Sequence, residues 1–350
     1  MADDLVQIME LDPVDTRQGP DLPGTALQAE VFTGRSLDYP TRRVFGGQIL
    51  AQSVMAAGRT VPATAAIHSL HGYFLLPGDP GTPIRFTVDG LRNGRSFFAR
   101  RVDAAQHGQL MATVLASFQV PAAGPEHQDE PPALPQPSSL QPGYPFAATA
   151  GSPAHRHGPV LPVELRPVSS SLHAGAAQQR RVAATWLRVT AALPESPLLH
   201  SALLALLSDF SILRPALRAH GFAADRRRVK TASIDHSLWF HRACRADEWI
   251  LYDLASPSAG GARALGTGRM FTAAGELVAS SAQEGMLRVV GQVARAPRAH
   301  RAGRGKPDPW TVSVANQVKW RRQQKIGCRS RWPAWWAMSR GRSGRRASDG

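Results

Sequence analysis

The sequence predicts an α+β protein made of two similar halves, each opening with a helix and continuing as mostly antiparallel strands. Three observations predict it. A Pro-, Ala- and Gly-rich stretch over residues 121–162 divides two better-patterned segments. Short motifs of the first segment return in the same order in the second: His68-Ser69-Leu70 as His236-Ser237-Leu238, and Ala99-Arg100 with Ala116-Ser117 as Ala262-Arg263 with Ala279-Ser280 at the same interval. In both segments a helical period precedes β-prone runs.

The first helix follows Gly46-Gly47. Ile49, Ser53 and Ala56, with Leu50, Val54 and Ala57, recur at three- and four-residue spacing, and Gly58 offers a stop. Its small residues suit close packing on a sheet. Strands follow at 67–75 and 84–88, separated by Pro77-Gly78-Asp79-Pro80, then at 97–102 and 110–120 about a turn at His107-Gly108. In the second half Ser196 caps a helix, Pro197 fills its first turn, and the helix is expected to run through Leu213. Strands are expected at 231–241, 249–254, 269–272 and 276–283, with a hairpin turn at Ala273-Ala274-Gly275. The expected layout is residues 1–120, a linker over 121–162, a second domain over 163–290, and a tail over 291–350.

Charge separates the tail from the body. The chain has 350 residues and a formal charge of +15, but residues 291–350 hold 15 Lys and Arg against Asp308 and Asp349. The other 290 residues carry 26 basic and 24 acidic groups, so the high isoelectric point describes the tail and does not mark the body as nucleic-acid-binding. Five of the eight tryptophans, Trp310, Trp320, Trp332, Trp335 and Trp336, also lie there. Binding of an anionic partner, nucleic acid or a membrane surface, is the less favoured reading; a disordered extension is the expected one.

Other classes are excluded by pattern. The acidic start lacks the basic-then-apolar run expected of a secretory signal, and Leu203–Leu207, the densest apolar run, is far short of the roughly 20 residues of a membrane-spanning helix. Cys244 and Cys328 form neither a disulfide framework nor a zinc-ligand pair, so a cytoplasmic location is expected. There is no Gly-x-Ser-x-Gly elbow, Walker loop, dinucleotide fingerprint or His-x-x-x-His pair. Chemistry is therefore expected from polar side chains and water, with no cofactor and no metal.

Asp209 is the most informative residue. At helical spacing it neighbours Ala205, Leu206, Ile212 and Leu213, an apolar face that strips a carboxylate of solvent and raises its pKa toward that of a general base. A structural carboxylate bonded to a neighbouring loop or subunit fits the same pattern. Ser233 and Gln283 read as ordinary strand positions. His68, His71, His236 and His241 lie in strand-like runs where satisfied structural histidines are common. An Asp235–His236 pair is disfavoured because adjacent strand residues face opposite ways.

The chain resembles the acyl-CoA thioesterase II family over residues 5–288. The resemblance rests on Arg43-Val44-Phe45-Gly46-Gly47-Gln48, on His68-Ser69-Leu70-His71-Gly72-Tyr73-Phe74-Leu75-Leu76-Pro77-Gly78-Asp79, and on Gly94 to Val102 with Ala116-Ser117-Phe118-Gln119. In the second half it rests on Ser208-Asp209-Phe210, Ser233 to His241, and Gln283-Glu284-Gly285. It implies two tandem hotdog domains, each a central helix packed on an antiparallel sheet, and hydrolysis of acyl-CoA to fatty acid and CoA. It assigns catalysis to Asp209, Ser233 and Gln283, with Ser where the bacterial pattern has Thr. It also implies no equivalent carboxylate in the first half and further self-association into a homo-oligomer. Gly46 and Gly47 are candidates for the oxyanion or substrate, and His68 is an alternative catalytic residue. A non-catalytic acyl-CoA-binding hotdog protein, recruited through the basic tail, is the competing reading.

Overall fold

In the first half of the chain α1 (Ala2–Met9), β1 (Asp12–Pro13) and β2 (Glu30–Gly34) precede α2 (Gly46–Gly58), followed by β3 (Ala66–Phe74), β4 (Ile84–Asn93), β5 (Phe97–Gln106) and β6 (Gln109–Gln119). The second half holds β7 (Val163–Pro167), β8 (Val182–Val189), α3 (Pro197–Ser208), α4 (Arg214–Ala219), β9 (Val229–Ser233), β10 (Asp235–Phe240), β11 (Ile250–Gly260), β12 (Arg263–Thr272) and β13 (Leu277–Val289). The computed structural model describes residues 2–14, 29–37, 39, 41–143, 161–168, 182–222 and 228–290. The tail and part of the Pro-rich stretch, residues 144–160, lie outside the described residues.

The strands form one antiparallel sheet in the order β1-β2-β4-β5-β6-β3-β10-β13-β12-β11-β8-β7, with β9 also paired to β13. Its middle is the junction of the two halves. There β3 and β10 pair so that Leu70 faces Leu238 and His71 faces Ser237. The recurring His-Ser-Leu motif therefore occupies the strands that join the halves, and both leucines are fully buried. The other recurrence fails in space. Ala99 faces Ser117 and Arg100 faces Ala116, but Ala279 and Ser280 face Met270 and Arg269, while Ala262 sits in a turn at φ 61°. Those pairs are not equivalent positions.

On the inner face of the sheet α2 and α3 run antiparallel to each other. A Cβ on Gly58 would lie 2.3 Å from Leu198 Cδ1, and a Cβ on Gly47 would lie 2.6 Å from the Leu206 carbonyl oxygen, so glycine at both ends of α2 permits the close approach. The helices bury Ile49, Leu50, Val54, Leu203, Leu204 and Leu207 against inward-facing strand residues such as Leu70, Phe86, Phe118 and Leu254. At ~25 cal/mol per Å² of apolar surface removed from water, this shared core is the main force on the fold. On the outer face of the second half, residues 121–143 lie down as an ordered strap. Leu134 and Leu140 cover Trp186, Leu251, Phe271 and Leu277, and Pro135 accepts the Trp186 indole N–H at 2.9 Å.

Two expected elements are different in space. The helix begun at Ser196, whose hydroxyl accepts the Leu199 amide, stops at Ser208, with Asp209 as its C-cap. Ser211 then takes a left-handed φ of 65° and Pro215, which cannot donate to a preceding turn, begins the separate helix α4. The expected strand over 231–241 breaks at Ile234. There the chain, still paired to β13, gains β3 on its other side, with the Phe74 amide donating to the Ile234 carbonyl, and the register on β13 shifts by one residue.

Candidate active site

The end of α3 meets the start of α2, and the site lies where they touch. Asp209 caps the carboxyl end of α3, where the helix dipole is unfavourable to a negative charge. The amino end of α2 offsets this, because the Gly47 amide donates to Asp209 Oδ2 at 2.8 Å. Glycine is required for that approach: a Cβ on Gly46 would lie 2.9 Å from Oδ2, and one on Gly47 3.1 Å from the Asp209 Cβ.

The loop carrying Asp209 is seated on two further glycines. A Cβ on Gly266 would stand 2.3 Å from the Ile212 carbonyl oxygen, and one on Gly285 2.3 Å from Leu213 Cδ1. Apolar rings stand nearby, with Phe45 and Phe210 centroids 4.7 Å apart, Phe45 against Gly47 and Phe74 against Gly46. Burial pushes the Asp209 carboxyl up to about 7 against the pull of hydrogen bonds from Gly47 and Gln283. The residue as a whole stays partly exposed while protein packs around its carboxylate, and the carboxylate's surroundings govern the shift. A group ionising near neutrality is suited to taking a proton from water.

Gln283 ties the site together. Inward-facing and 2% exposed on β13, it donates through Nε2 to Ser233 Oγ at 2.9 Å and stands close enough to the Asp209 carboxyl to lower its pKa. Ser233 ends β9 opposite Gly285, so it stands on the same inner face as Gln283. Gln283 thus bonds Ser233 and neighbours Asp209, which brings the three groups together. Gly47 serves the carboxylate through its amide, an interaction the sequence did not suggest, so of the two oxyanion candidates Gly46 is the one whose amide is not shown engaged by Asp209.

His68 is not brought to this group. It lies at an irregularity in β3, outside the ladder, and its Nε2 is 2.8 Å from Ser117 Oγ on the outer face. His71 and His241 pair likewise with Ser237 and Ser280. Asp235 accepts the Glu284 amide at 2.7 Å, whereas its neighbour His236 points inward and is fully buried.

His236 and Ser208 are the residues that sequence reasoning missed. His236 Nδ1 lies 2.5 Å from Gln283 Oε1 and its Nε2 lies 2.9 Å from Ser208 Oγ. Burial pushes the imidazole down to about 4, so it is neutral at ordinary pH. Tyr252 donates to the Ser208 carbonyl at 2.6 Å and holds that end of α3. His236 stood in a motif that strand alternation explains as core, and no local pattern marked it as touching Gln283. Among the described residues no group of three or more His, Cys, Asp or Glu is arranged to hold a metal ion.

Comparisons with known proteins match both halves. Residues 160–286 match the profile described as acyl-CoA thioesterase, and residues 36–119 that of the acyl-CoA thioesterase N-terminal domain. The chain is 35% identical to human acyl-coenzyme A thioesterase 8 over 286 residues, 76% of this chain and 87% of the relative. It is 35% identical to acyl-CoA thioesterase 2 of Haemophilus influenzae over 263 residues, 74% and 92% of the two chains. The crystal structure of acyl-CoA thioesterase II TesB2 from Mycobacterium marinum matches with a TM-score of 0.67 at 36% identity, covering 83% of this chain and 99% of that one. A hot-dog-fold protein from Alicyclobacillus acidocaldarius, at 17% identity and a TM-score of 0.60 over 82% and 98% of the chains, shares the fold.

Proposed function

The chain belongs to the acyl-CoA thioesterase family and hydrolyses acyl-CoA to free fatty acid and CoA, and from that premise we propose that Asp209, Ser233 and Gln283 perform the step on a bound water. The observation that carries the assignment is the position of Gln283, which donates to Ser233 Oγ at 2.9 Å and stabilises the ionised Asp209 carboxylate beside it.

Water sits between the three groups, and Asp209 takes its proton as its oxygen attacks the thioester carbonyl carbon. A C–O bond forms and the carbonyl π pair moves onto oxygen. Collapse of that oxyanion restores C=O and expels the CoA sulfur with the C–S electron pair, and the proton held by Asp209 returns to the thiolate. The Gly46 amide, in the first turn of α2, is the proposed oxyanion donor. Ser233 acts as an orienting group: its hydroxyl accepts from the Gln283 amide, and among the described residues no base hydrogen-bonds it to make it a nucleophile.

The same reading gives two tandem hotdog domains, residues 1–120 and 163–290 joined by residues 121–162, with one active site per chain. At the opposite end of the helix pair α2 is C-capped by Arg59 instead of an Asp, and α3 begins with Pro197, which has no amide hydrogen to give. Self-association is proposed through the outer sheet face, supported by exposed Tyr73, Leu115 and Trp239 around the central strands. Among the described residues no helix is long and apolar enough to cross a membrane.

Pre-steady-state thiol release tests the water mechanism. A linear time course without a burst, and no acyl adduct on Ser233 in quenched samples by mass spectrometry, are expected. A stoichiometric burst with acylated Ser233 would replace this step with a covalent one.

A further inference from the structure

The polar contacts of Gln283 leave its side-chain amide with a choice of two orientations, and only one of them serves Asp209 and Ser233. With Nε2 toward Ser233 Oγ and the Asp209 carboxylate, one amide proton bonds Ser233 and the amide's positive end faces the acid, whose pKa it lowers. With the amide turned over, Oε1 would face a carboxylate, a repulsive contact in a site with little water. The bond to Ser233 alone does not exclude the second orientation, because a serine hydroxyl donates as readily as it accepts, and Asp209, protonated below about pH 7, can then donate to Oε1.

We propose that His236 is a positioning residue that fixes Gln283 in the productive orientation, by donating its Nδ1–H to Gln283 Oε1 across 2.5 Å while Ser208 Oγ holds its Nε2 across 2.9 Å. The inference rests on the assignment of Gln283 to the site.

The direction of each bond follows from proton counting. Gln283 Oε1 has no hydrogen, so His236 Nδ1 donates. The buried imidazole has no acidic partner to support a second ring proton, so Nε2 is an acceptor. Ser208 Oγ has one proton and two neighbours, the Ala205 carbonyl at 2.8 Å, to which it can donate, and His236 Nε2 at 2.9 Å; the proposal requires that proton to turn to the nitrogen, which otherwise lacks a donor. The chain of donors thus runs from Ser208 through His236 to Gln283 and ends on Ser233 and Asp209. It is anchored beyond Ser208 by Tyr252, which donates to the Ser208 carbonyl and meets Ser281 Oγ at 2.8 Å. Ser208, His236 and Tyr252 stand behind Gln283 and are given no contact with the reacting water. They act through the amide.

The proposal also accounts for an asymmetry between the halves. His68 occupies the corresponding place in the recurring motif, yet it turns to the outer face, where it meets Ser117. The inward position in the first half is taken by apolar residues, among them Phe118, fully buried on β6. Only the half that holds the glutamine keeps the imidazole inside.

The test uses the full chain and thiol release from a saturated acyl-CoA, with Asp209→Asn and Gln283→Ala as references. His236→Leu removes the donor and keeps apolar volume. Its kcat is expected to fall about 10- to 100-fold with KM within about threefold, the loss typical of misplacing one group in a site. The acid limb of its kcat–pH profile is expected to move to higher pH, because a turned amide no longer donates to Asp209. Tyr39 and Tyr252, the other titratable groups that feel the Asp209 charge, are raised by burial and stay neutral, so the movement reports Gln283.

His236→Asn places an N–H where Nδ1 was, and His236→Gln places one where Nε2 was. The asparagine is expected to recover kcat to within about fivefold of native, and the glutamine is not. This comparison also decides the matter if the leucine variant does not fold. A native kcat and unmoved acid limb in His236→Leu, or equal kcat in the two amides, overturns the proposal. Native rates in Asp209→Asn and Gln283→Ala as well would remove the site assignment beneath it.

Discussion

The Gly47 amide and the Asp209 carboxylate meet at 2.8 Å although 162 positions separate them in the chain. The contact joins the positive end of α2 in the first half to the negative end of α3 in the second. A carboxylate at a helix carboxyl end, buried among aromatic rings, is poorly placed to ionise; the opposing amide restores part of what is lost. Neither half alone makes this site. The first supplies the glycine-rich helix start, and the second supplies the acid, the hydroxyl and the glutamine.

Gly47→Ala tests that contact. In an ordinary helix the change stabilises by about 1 kcal/mol. Here the new methyl lies 2.6 Å from the Leu206 carbonyl oxygen and crowds Asp209, so α2 must shift. Lower Tm by thermal melting and at least a tenfold lower kcat are expected, against the helix-propensity trend.

Ser233 is expected to tolerate threonine. Both residues carry one hydroxyl donor with two acceptor lone pairs, and Ser233 is partly exposed, leaving room for a methyl. Steady-state kinetics should give Ser233→Thr a kcat within about threefold of native, and Ser233→Ala a loss of about 10- to 100-fold, since only the alanine leaves the Gln283 amide and the water without their partner.

The pH dependence of stability separates Asp209 from His236. Asp209 is raised from an ordinary carboxylate value to about 7, so between about pH 4 and 7 the folded chain holds a proton there that the unfolded chain has released, and stability falls as pH rises. His236 is lowered to about 4, so between about pH 4 and 6.5 the unfolded chain holds a proton that the folded chain lacks, and stability rises with pH. The two slopes oppose each other from about pH 4 to 6.5. Asp209→Asn should therefore make stability climb with pH in that window relative to native, by chemical denaturation, and should make the protein more stable than native at pH 8. His236→Leu should do the reverse, with stability declining as pH rises.

Gly266→Ala probes the seat of the Asp209 loop. Its Cβ would stand 2.3 Å from the Ile212 carbonyl, which is backbone and cannot rotate away. A loss of about 1–3 kcal/mol in unfolding free energy by denaturant titration is expected, with activity reduced through displacement of Asp209.

Much of this was legible in the sequence, for identifiable reasons. Residues 48–57 repeat small and apolar side chains at helical spacing, and α2 appears there. Asp209 on an apolar run pointed to a desolvated acid, although it caps α3 instead of lying inside a longer helix. That error has a local cause: the apolar period continues to Leu213, and the left-handed turn at Ser211 is a cost accepted for the sake of seating on Gly266 and Gly285. The short strands β2, β7 and β8 lacked a clear alternating signature because they belong to the outer parts of a sheet whose pairing is long-range. The contacts that complete the site, from Gly47 to Asp209 and from His236 to Gln283, link positions 162 and 47 residues apart. No local period reports such distances.

The central claim is that Asp209 removes a proton from the attacking water, and the rate of thiol release from saturating acyl-CoA by Asp209→Asn, set beside the native chain at pH 8, tests it most directly. The amide keeps the shape of the side chain and cannot take the proton. A folded variant slowed by about 10²- to 10⁴-fold, the usual worth of a general base, is the predicted result. A folded variant that releases thiol at the native rate would contradict it.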